Sequence, residues 1–379
     1  MSDPDNSRYP LLVSRRAMEQ GRNLHVYSLH DASGAVMAGG WNLNRHRLTA
    51  KKFFRWLDLS EKHRHKTKLA LRRICLRRIE VLRYIVESRE GPLISCDSEE
   101  LLQPGFYGIF RAEDGKGYEY PVGMDDSVTF MQLDHCLCVG RGAPYDATVQ
   151  NRLQERENEM SADLVELASA RDKGRCCVTG RSDLPTTVVW IFPPRAGYGW
   201  DLYQTVRYED YRVVENVMTI CSALVPAFYQ NLFSVDFGDA QTIVSFATLP
   251  DGTPELPSHL PGDVHAPAHF WTQSFAFTLK VHFPGGGGEE DFDGYNPVAW
   301  MDELNARQPQ LDDPKWQTPY GREVFEVYLE QEMEMKERMQ RRKERPFKMP
   351  ASWTEFDPRD ASGYIHTKED YMASLRQTD

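Results

Sequence analysis

The sequence has no long apolar run. No stretch approaches the roughly 18 uninterrupted apolar residues that a membrane-spanning helix needs. The segment from Met1 to Asn6 also has none of the basic and apolar character of a secretory signal. These absences favour a soluble, cytoplasmic protein that has no membrane partner.

Cysteine is sparse, and its spacing lacks the usual signatures of metal binding. The chain has seven cysteines in 379 residues and no Cys-x-x-Cys motif. An odd, small number in a chain of this length suits reduced thiols better than a disulfide framework. Cys136 and Cys138 are too close for a common zinc knuckle, and Cys176 and Cys177 are adjacent. We therefore predict no structural zinc, no catalytic metal and no cofactor.

The chain also lacks a surplus of positive charge. It has 45 Lys and Arg against 56 Asp and Glu, for a net charge of −11. Non-specific capture of nucleic acid depends on many phosphate contacts, so this balance does not favour it. One segment departs from the trend, because residues 62–89 are rich in Arg and Lys interleaved with Leu, Ile and Val. The pattern predicts an amphipathic helical or mixed segment, more often a solvated face than a phosphate-contacting one.

Short strand and hairpin patterns alternate with helical ones without a βαβ rhythm, which indicates an α+β fold. Residues 24–43 read as a hairpin, and a helix with an apolar side is expected from Thr49. We predict an N-terminal α+β domain over 1–145, a central domain over 146–290, and a helical and extended C-terminal segment over 291–379.

The central domain contains several short motifs in a fixed order. They are the run from Arg171 to Gly180 with its Cys176-x-x-Thr179-Gly180 core, the stretch Val188-Val189-Trp190-Ile191-Phe192-Pro193, the single Asn216, and the strand-like Gln230 to Asp236. Together they resemble the fungal HNH endonuclease-like family. The Leu101 to Phe110 stretch resembles a strand in the N-terminal half of the same proteins. The resemblance implies a central hairpin-and-helix unit of the ββα-metal type.

The resemblance fails at the residues that would perform the chemistry. The family places a general-base His at position 190, a metal-binding His at 225 and an Asp at 229, and here these are Trp190, Val225 and Tyr229. An indole has no basic lone pair to accept a proton from water. Valine has no ligand atom for a divalent ion. We therefore expect an HNH-like frame without nuclease activity.

One hypothesis is that the frame now serves a cofactor-independent enzyme acting on a hydrophobic small molecule. The three substitutions would turn an ionic cleft into an apolar one with a few polar groups, which is typical of a ligand pocket. Such a site could fold a flexible substrate and catalyse cyclisation or isomerisation in secondary metabolism. The residues assigned to it are Asn216, Tyr229 and Trp190 as hydrogen-bonding catalytic groups, and Phe192, Val225, Phe228 and Arg195 as the substrate-binding lining.

The alternative hypothesis is a pseudo-nuclease that binds nucleic acid or protein. The basic 62–89 segment favours this interpretation, as does the highly charged helical pattern around residue 330. Composition alone favours the enzyme narrowly over the binding module.

The substitutions at positions 190, 225 and 229 generate the first testable prediction. Supercoiled plasmid incubated with the purified protein and Mg²⁺ or Mn²⁺ should stay intact on an agarose gel, because the side chains at these three positions can neither generate nor hold a metal-bound hydroxide. An active nuclease in the same buffer is the positive control. Metal-dependent nicking that follows the protein through gel filtration and stops with EDTA would contradict the prediction.

Overall fold

The computed structural model describes residues 15–30, 34–60, 67–80, 83–120, 158–196, 208–262, 268–283, 297–306 and 312–344. The domain boundaries predicted at 145 and 290 lie outside these ranges. The chain divides into two compact units, Met1–Pro297 and Val298–Asp379. Helices combine with mainly antiparallel sheets, so the predicted α+β class is confirmed. Within the described ranges, no helix combines the length and the apolar character needed to cross a bilayer.

The first unit begins with the short helix α1 (Arg15–Glu19) and a closed five-stranded barrel. The strand order is β1-β2-β4-β3-β5, and the parallel pairing of β5 with β1 closes the ring. Closure gives every strand a partner on each side. The predicted hairpin over 24–43 is confirmed as β1 and β2. The strands are β1 (Leu24–Leu29), β2 (Gly34–Trp41), β3 (Leu69–Glu80), β4 (Arg83–Ser95) and β5 (Gly105–Arg111).

The basic segment is not helical, so that part of the sequence prediction was wrong. Residues 69–80 and 83–95 form the long antiparallel pair β3 and β4. Three irregularities in their register interrupt the alternation of buried and exposed positions. Leu71 and Ile74 are buried while Arg73 and Arg77 are exposed, a spacing that imitates a helical period. These bulges therefore explain why the spacing of the apolar residues alone indicated a helix.

The barrel buries apolar side chains on both of its surfaces. A cluster drawn from all five strands fills the interior: Tyr27, Leu29, Ala35, Met37, Ile74, Tyr84 and Phe110. Leu24 and Val26 belong instead to a second cluster that includes side chains of two helices. The first helix, α2 (Ala50–Ser60), confirms the helix expected from Thr49 and buries Phe53, Phe54, Trp56 and Leu57.

In its described part, the first unit continues after the barrel with several helices and four short strands. They are α3 (Ala162–Asp172), β6 (Thr186–Trp190), β7 (Val217–Cys221), α4 (Val225–Tyr229), β8 (Phe233–Asp236), β9 (Thr242–Ser245) and α5 (Ala268–His282). β6 pairs with β7, and β8 pairs with β9, both antiparallel. The helices α6 (Pro297–Leu304) and α7 (Pro319–Glu344) follow. In the second unit, Trp316 lies between Trp300 and Phe325, with ring centroids 5.9 and 6.3 Å away.

The carboxylate of Asp236 joins β8 to α2. It accepts hydrogen bonds from both terminal nitrogens of Arg55, at 2.8 Å for Nη1, and from Trp56 Nε1 at 2.9 Å. Asp236 is only 1% exposed. A buried carboxylate is costly unless donors surround it, so these three bonds require α2 and β8 to stay in one arrangement.

A close backbone approach joins β2 to the end of α5. The Phe283 carbonyl accepts from the Gly40 amide at 2.9 Å and from Arg22 Nη1 at 3.2 Å. A Cβ atom on Gly39 would lie 2.1 Å from that carbonyl oxygen. Only glycine permits this contact.

Removal of Arg55 should destabilise the protein strongly. Arg55→Leu leaves the Asp236 carboxylate buried with the Trp56 indole as its remaining donor, at a cost of about 3 kcal/mol in the free energy of unfolding. Urea titration followed by tryptophan fluorescence measures the loss. Lys51→Leu is the matched control, because Lys51 lies on the same helix. Its ion pair with Glu99 is well exposed at both ends and should contribute little to stability. Equal effects of the two substitutions would contradict the prediction.

Candidate functional site

The Cys176-x-x-Thr179-Gly180 motif forms a tight hydrogen-bonded turn. The Gly180 amide donates to the Cys176 carbonyl at 2.7 Å, and the Cys176 amide donates to the Arg181 carbonyl at 2.8 Å. Gly180 has φ of 73°, the left-handed region that glycine adopts readily. The Cys176 sulfur accepts from the Thr179 amide at 3.3 Å. The motif is thus explained by turn geometry.

Arg171 and Asp172 tie the end of α3 to β7. The Arg171 guanidinium donates to the carbonyls of Val214 at 2.8 Å and Val217 at 2.6 Å, and its Nε donates to Asp172 Oδ1 at 2.7 Å. Asp172 Oδ2 accepts the Thr219 amide at 2.9 Å. Burial alone raises the pKa of Asp172, but these hydrogen bonds outweigh it and hold the pKa below its usual value. The Arg171–Asp172 pair therefore binds the end of α3 to the backbone of the β6–β7 hairpin.

Cys177 is a structural thiol. Its amide donates to the Thr219 carbonyl at 2.8 Å, so the turn is bound to the middle of β7. Burial, together with the neighbouring Asp172 carboxylate, raises the pKa of the Cys177 thiol to about 12. The side chain stays protonated at physiological pH and is unsuited to nucleophilic chemistry.

Asn216 joins the end of β6 to the start of β7. Its Oδ1 accepts the Phe192 amide at 3.0 Å, and its Nδ2 donates to the carbonyls of Phe192 at 2.7 Å and Tyr211 at 2.9 Å. Asn216 has no exposed surface. Both amide protons are used, so none remains for the substrate hydrogen bond assigned to this residue. In this arrangement Asn216 orients the backbone.

The Trp190 side chain packs against α3. Its Nε1 donates to the Asn158 carbonyl at 2.7 Å, and the indole packs with Ala168 and Val217. The side chain of Asn158 in turn accepts the backbone amide of Arg195 at 3.0 Å. The single donor of the indole is thus committed, and Arg195 is held near Trp190 through Asn158, a residue that no sequence motif singles out.

Tyr229, at the end of α4, lies next to the Trp190 backbone. Burial raises the pKa of Tyr229 to about 12, partly offset by a hydrogen bond with the Trp190 backbone. The structure therefore brings together two of the residues assigned from the sequence. The phenol stays protonated at neutral pH.

The residues predicted to line a substrate pocket belong to the protein core. Phe192 and Phe228 are 0% and 1% exposed and share one apolar cluster, against which Val225 and Tyr229 pack. A side chain without accessible surface lines no cavity large enough for a water molecule. The Trp190 indole packs in a different cluster, so Trp190 and Phe228 are not walls of one apolar pocket.

The divalent metal that the family resemblance implies does not fit these residues. Val225 has no donor atom, the Tyr229 phenol is held protonated, and Trp190 Nε1 is a hydrogen-bond donor. Over the part of the chain that is described, no three His, Cys, Asp or Glu side chains converge as a metal site would require. The residues at these three positions therefore support no metal-dependent step.

No protein-family model, curated protein or solved structure matches the chain significantly. The HNH-like resemblance rests on the residues quoted above and stays a prediction. Sequence reasoning missed the roles of Asn158, Arg171 and Asp172. Adjacent opposite charges at the end of a predicted helix were the only local signal for the Arg171–Asp172 pair.

The Asp172 contacts predict a pH-dependent contribution to stability. Because the folded-state pKa is depressed, the contribution is present above the unfolded pKa and disappears as pH falls through the folded value. Asp172→Asn should cost about 2 kcal/mol at pH 7. The difference from wild type should shrink below about pH 4.

The midpoints of urea unfolding for the wild type and Asp172→Asn, measured from pH 7 to below about pH 4, test this prediction. Asp183→Asn is the control, since Asp183 pairs with Arg181 at 2.6 Å on the exposed surface. It should change the midpoint little at any pH. A difference between Asp172→Asn and wild type that is constant with pH would show that the carboxylate charge is not responsible.

Proposed function

We propose that this protein is an HNH-like ββα protein without nuclease activity that acts by binding, and that nucleic acid is its partner. One observation carries the non-catalytic part of the proposal. The side chains at the positions of the general base and of the Asp, Trp190 and Tyr229, are buried and partly buried, respectively, and both are hydrogen-bonded to the protein's own backbone. Neither can accept a proton from water at neutral pH.

The order of elements around these residues supports the HNH-like interpretation. The antiparallel strands β6 and β7 are followed directly by a short 3₁₀ turn and α4. Trp190 ends the first strand, and Val225 and Tyr229 begin and end the helix. A hairpin followed by a helix is the arrangement that the resemblance implies.

The binding part of the proposal rests on the exposed arginines of β3. Arg73 and Arg77 are exposed and lie four residues apart on the strand, roughly 13 Å along it. Arg77 Nε donates to Glu87 at 2.8 Å, and Arg73 Nη2 donates to the Pro104 carbonyl at 3.2 Å. A guanidinium has five N–H donors, so each keeps donors for a phosphate.

The arginines are also fixed in place by their neighbours. The Arg73 guanidinium lies 5.9 Å from the ring centroid of Tyr107, and the Arg77 guanidinium is held by its hydrogen bond to Glu87. Side chains held in this way lose less conformational entropy when they bind. With a net charge of −11, the chain would bind through this local surface only, so the affinity should be modest and should fall as salt is added.

The small-molecule enzyme stays a prediction with less support. A pocket beside Trp190 and Val225 would need accessible apolar walls, whereas Phe192 and Phe228 are closely packed in the core. Asn216 and Trp190 have also committed their donors to the protein backbone.

Binding to a fluorescent single-stranded oligonucleotide tests the proposal by anisotropy at several salt concentrations. Arg73→Gln/Arg77→Gln should lower the affinity and reduce the slope of log K against log salt by about 1.4, because each phosphate contact on a single strand contributes about 0.7.

Lys51→Gln/Arg181→Gln removes the same charge from exposed sites elsewhere and should leave the slope nearly unchanged. Absence of binding by the wild-type protein at low salt would overturn the proposal. Equal slopes for the two double variants would overturn the assignment of the surface.

A further inference from the structure

An open cleft of about 600 Å³ lies at one end of the barrel. Its lining comes from the last residues of β1 and β5, the start of β2, the middle of β4, and the turn and segment over residues 114–119. The volume is in the range of small-molecule binding sites, about 300–1,000 Å³. The residues assigned to the HNH-like unit take no part in it.

Three cationic side chains line this cleft without short bonds to other described residues. Arg111 Nε lies 3.7 Å from Asp114 Oδ1, and Lys116 Nζ lies 3.8 Å from Asp114 Oδ2. Arg89 Nη1 reaches the Gly115 carbonyl only at 3.4 Å. Charge-assisted hydrogen bonds are normally about 2.7–2.9 Å. These cations thus have donor capacity for a ligand anion.

The two acidic side chains of the lining are engaged by local donors. Asp114 Oδ1 accepts the Lys116 backbone amide at 3.0 Å. Glu119 Oε1 lies 3.0 Å from His30 Nδ1. Three cationic side chains against two carboxylates leave the lining with one more positive than negative side chain, in a chain whose net charge is −11. Local charge of this sign selects an anionic ligand.

The rest of the wall combines glycines with one aromatic side chain. Gly34, Gly115 and Gly117 are among the lining residues, and Tyr118 supplies a half-buried aromatic ring. Gly115 has φ of 66°, a left-handed conformation that keeps the turn tight, and its amide donates to the Arg111 carbonyl at 2.9 Å. Aromatic and apolar surface beside a group of cations matches a molecule that carries an anionic group on an uncharged body.

We propose that this cleft binds a phosphate-bearing small molecule of mononucleotide size, with the phosphate held by Arg89, Arg111 and Lys116 and the uncharged body against Tyr118. Arginine binds phosphate oxygens with paired N–H donors, and lysine adds a point charge. The site does not depend on the proposed nucleic-acid surface, which is formed by Arg73 and Arg77.

Isothermal titration with AMP tests the proposal on the full chain. The wild type should bind AMP saturably, and Arg111→Gln/Lys116→Gln should weaken binding at least about tenfold, equivalent to about 1.4 kcal/mol. Both side chains are exposed at the cleft, so the variant should keep the wild-type thermal midpoint. Lys51→Gln/Arg181→Gln, with the same change of charge, should bind AMP within about twofold of the wild type.

Adenosine and inorganic phosphate separate the two parts of the ligand. Each should bind at least about tenfold more weakly than AMP. Adenosine binding as tightly as AMP would overturn the role of the cations, and phosphate binding as tightly would overturn the ligand size. No saturable AMP binding, or equal binding by the two double variants, would overturn the site. The Arg73→Gln/Arg77→Gln variant should bind AMP normally, so this outcome and that of the oligonucleotide test are independent.

Discussion

Burial of the Asp236 carboxylate is the constraint on which the arrangement of the first unit depends. A charge that is 1% exposed must keep all its donors, and these come from Arg55 and Trp56 on α2. Helix α2 covers one surface of the barrel, and β8 belongs to the elements that follow the barrel along the chain. The network thus fixes both parts of the unit at once, and Trp56 then packs edge-on against Phe275 of α5, with ring centroids 5.6 Å apart.

The same use of polar groups recurs throughout the candidate site. Asn216 binds the backbone around Phe192, Arg171 and Asp172 bind the backbone of β7, and Asn158 binds Trp190 and Arg195. A hydrolytic site needs polar groups that remain available to water, metal or substrate. In the candidate site the polar groups named above bind the protein's own backbone instead. They hold the β6–β7 hairpin and its neighbouring segments together.

The elements with local sequence signals could be predicted, and those set by distant pairing could not. The β1–β2 hairpin and α2 followed from turn residues and from the apolar side of Phe53 and Trp56. The parallel pairing of Leu24 with Gly105 closes the barrel between residues 81 positions apart in the chain. Because the partners are so distant, no local sequence pattern indicates this pairing. In the candidate site, the sequence alone shows that the Trp190 indole cannot act as a general base. The direction of the indole depends on Asn158, whose role appears only in three dimensions.

The contact between Gly39 and Phe283 has a consequence for the order in which the protein can be assembled during synthesis. The apolar surface around Trp41 and Phe53 is completed by Phe246, Phe275 and Phe283, which leave the ribosome long after β5. A nascent chain that has finished the barrel strands still exposes this surface. A fragment that ends after the barrel would therefore be prone to aggregation and to proteolysis. The barrel is closed by its own hydrogen bonds, but its outer apolar surface is fully covered only after the last turn of α5 has been synthesised.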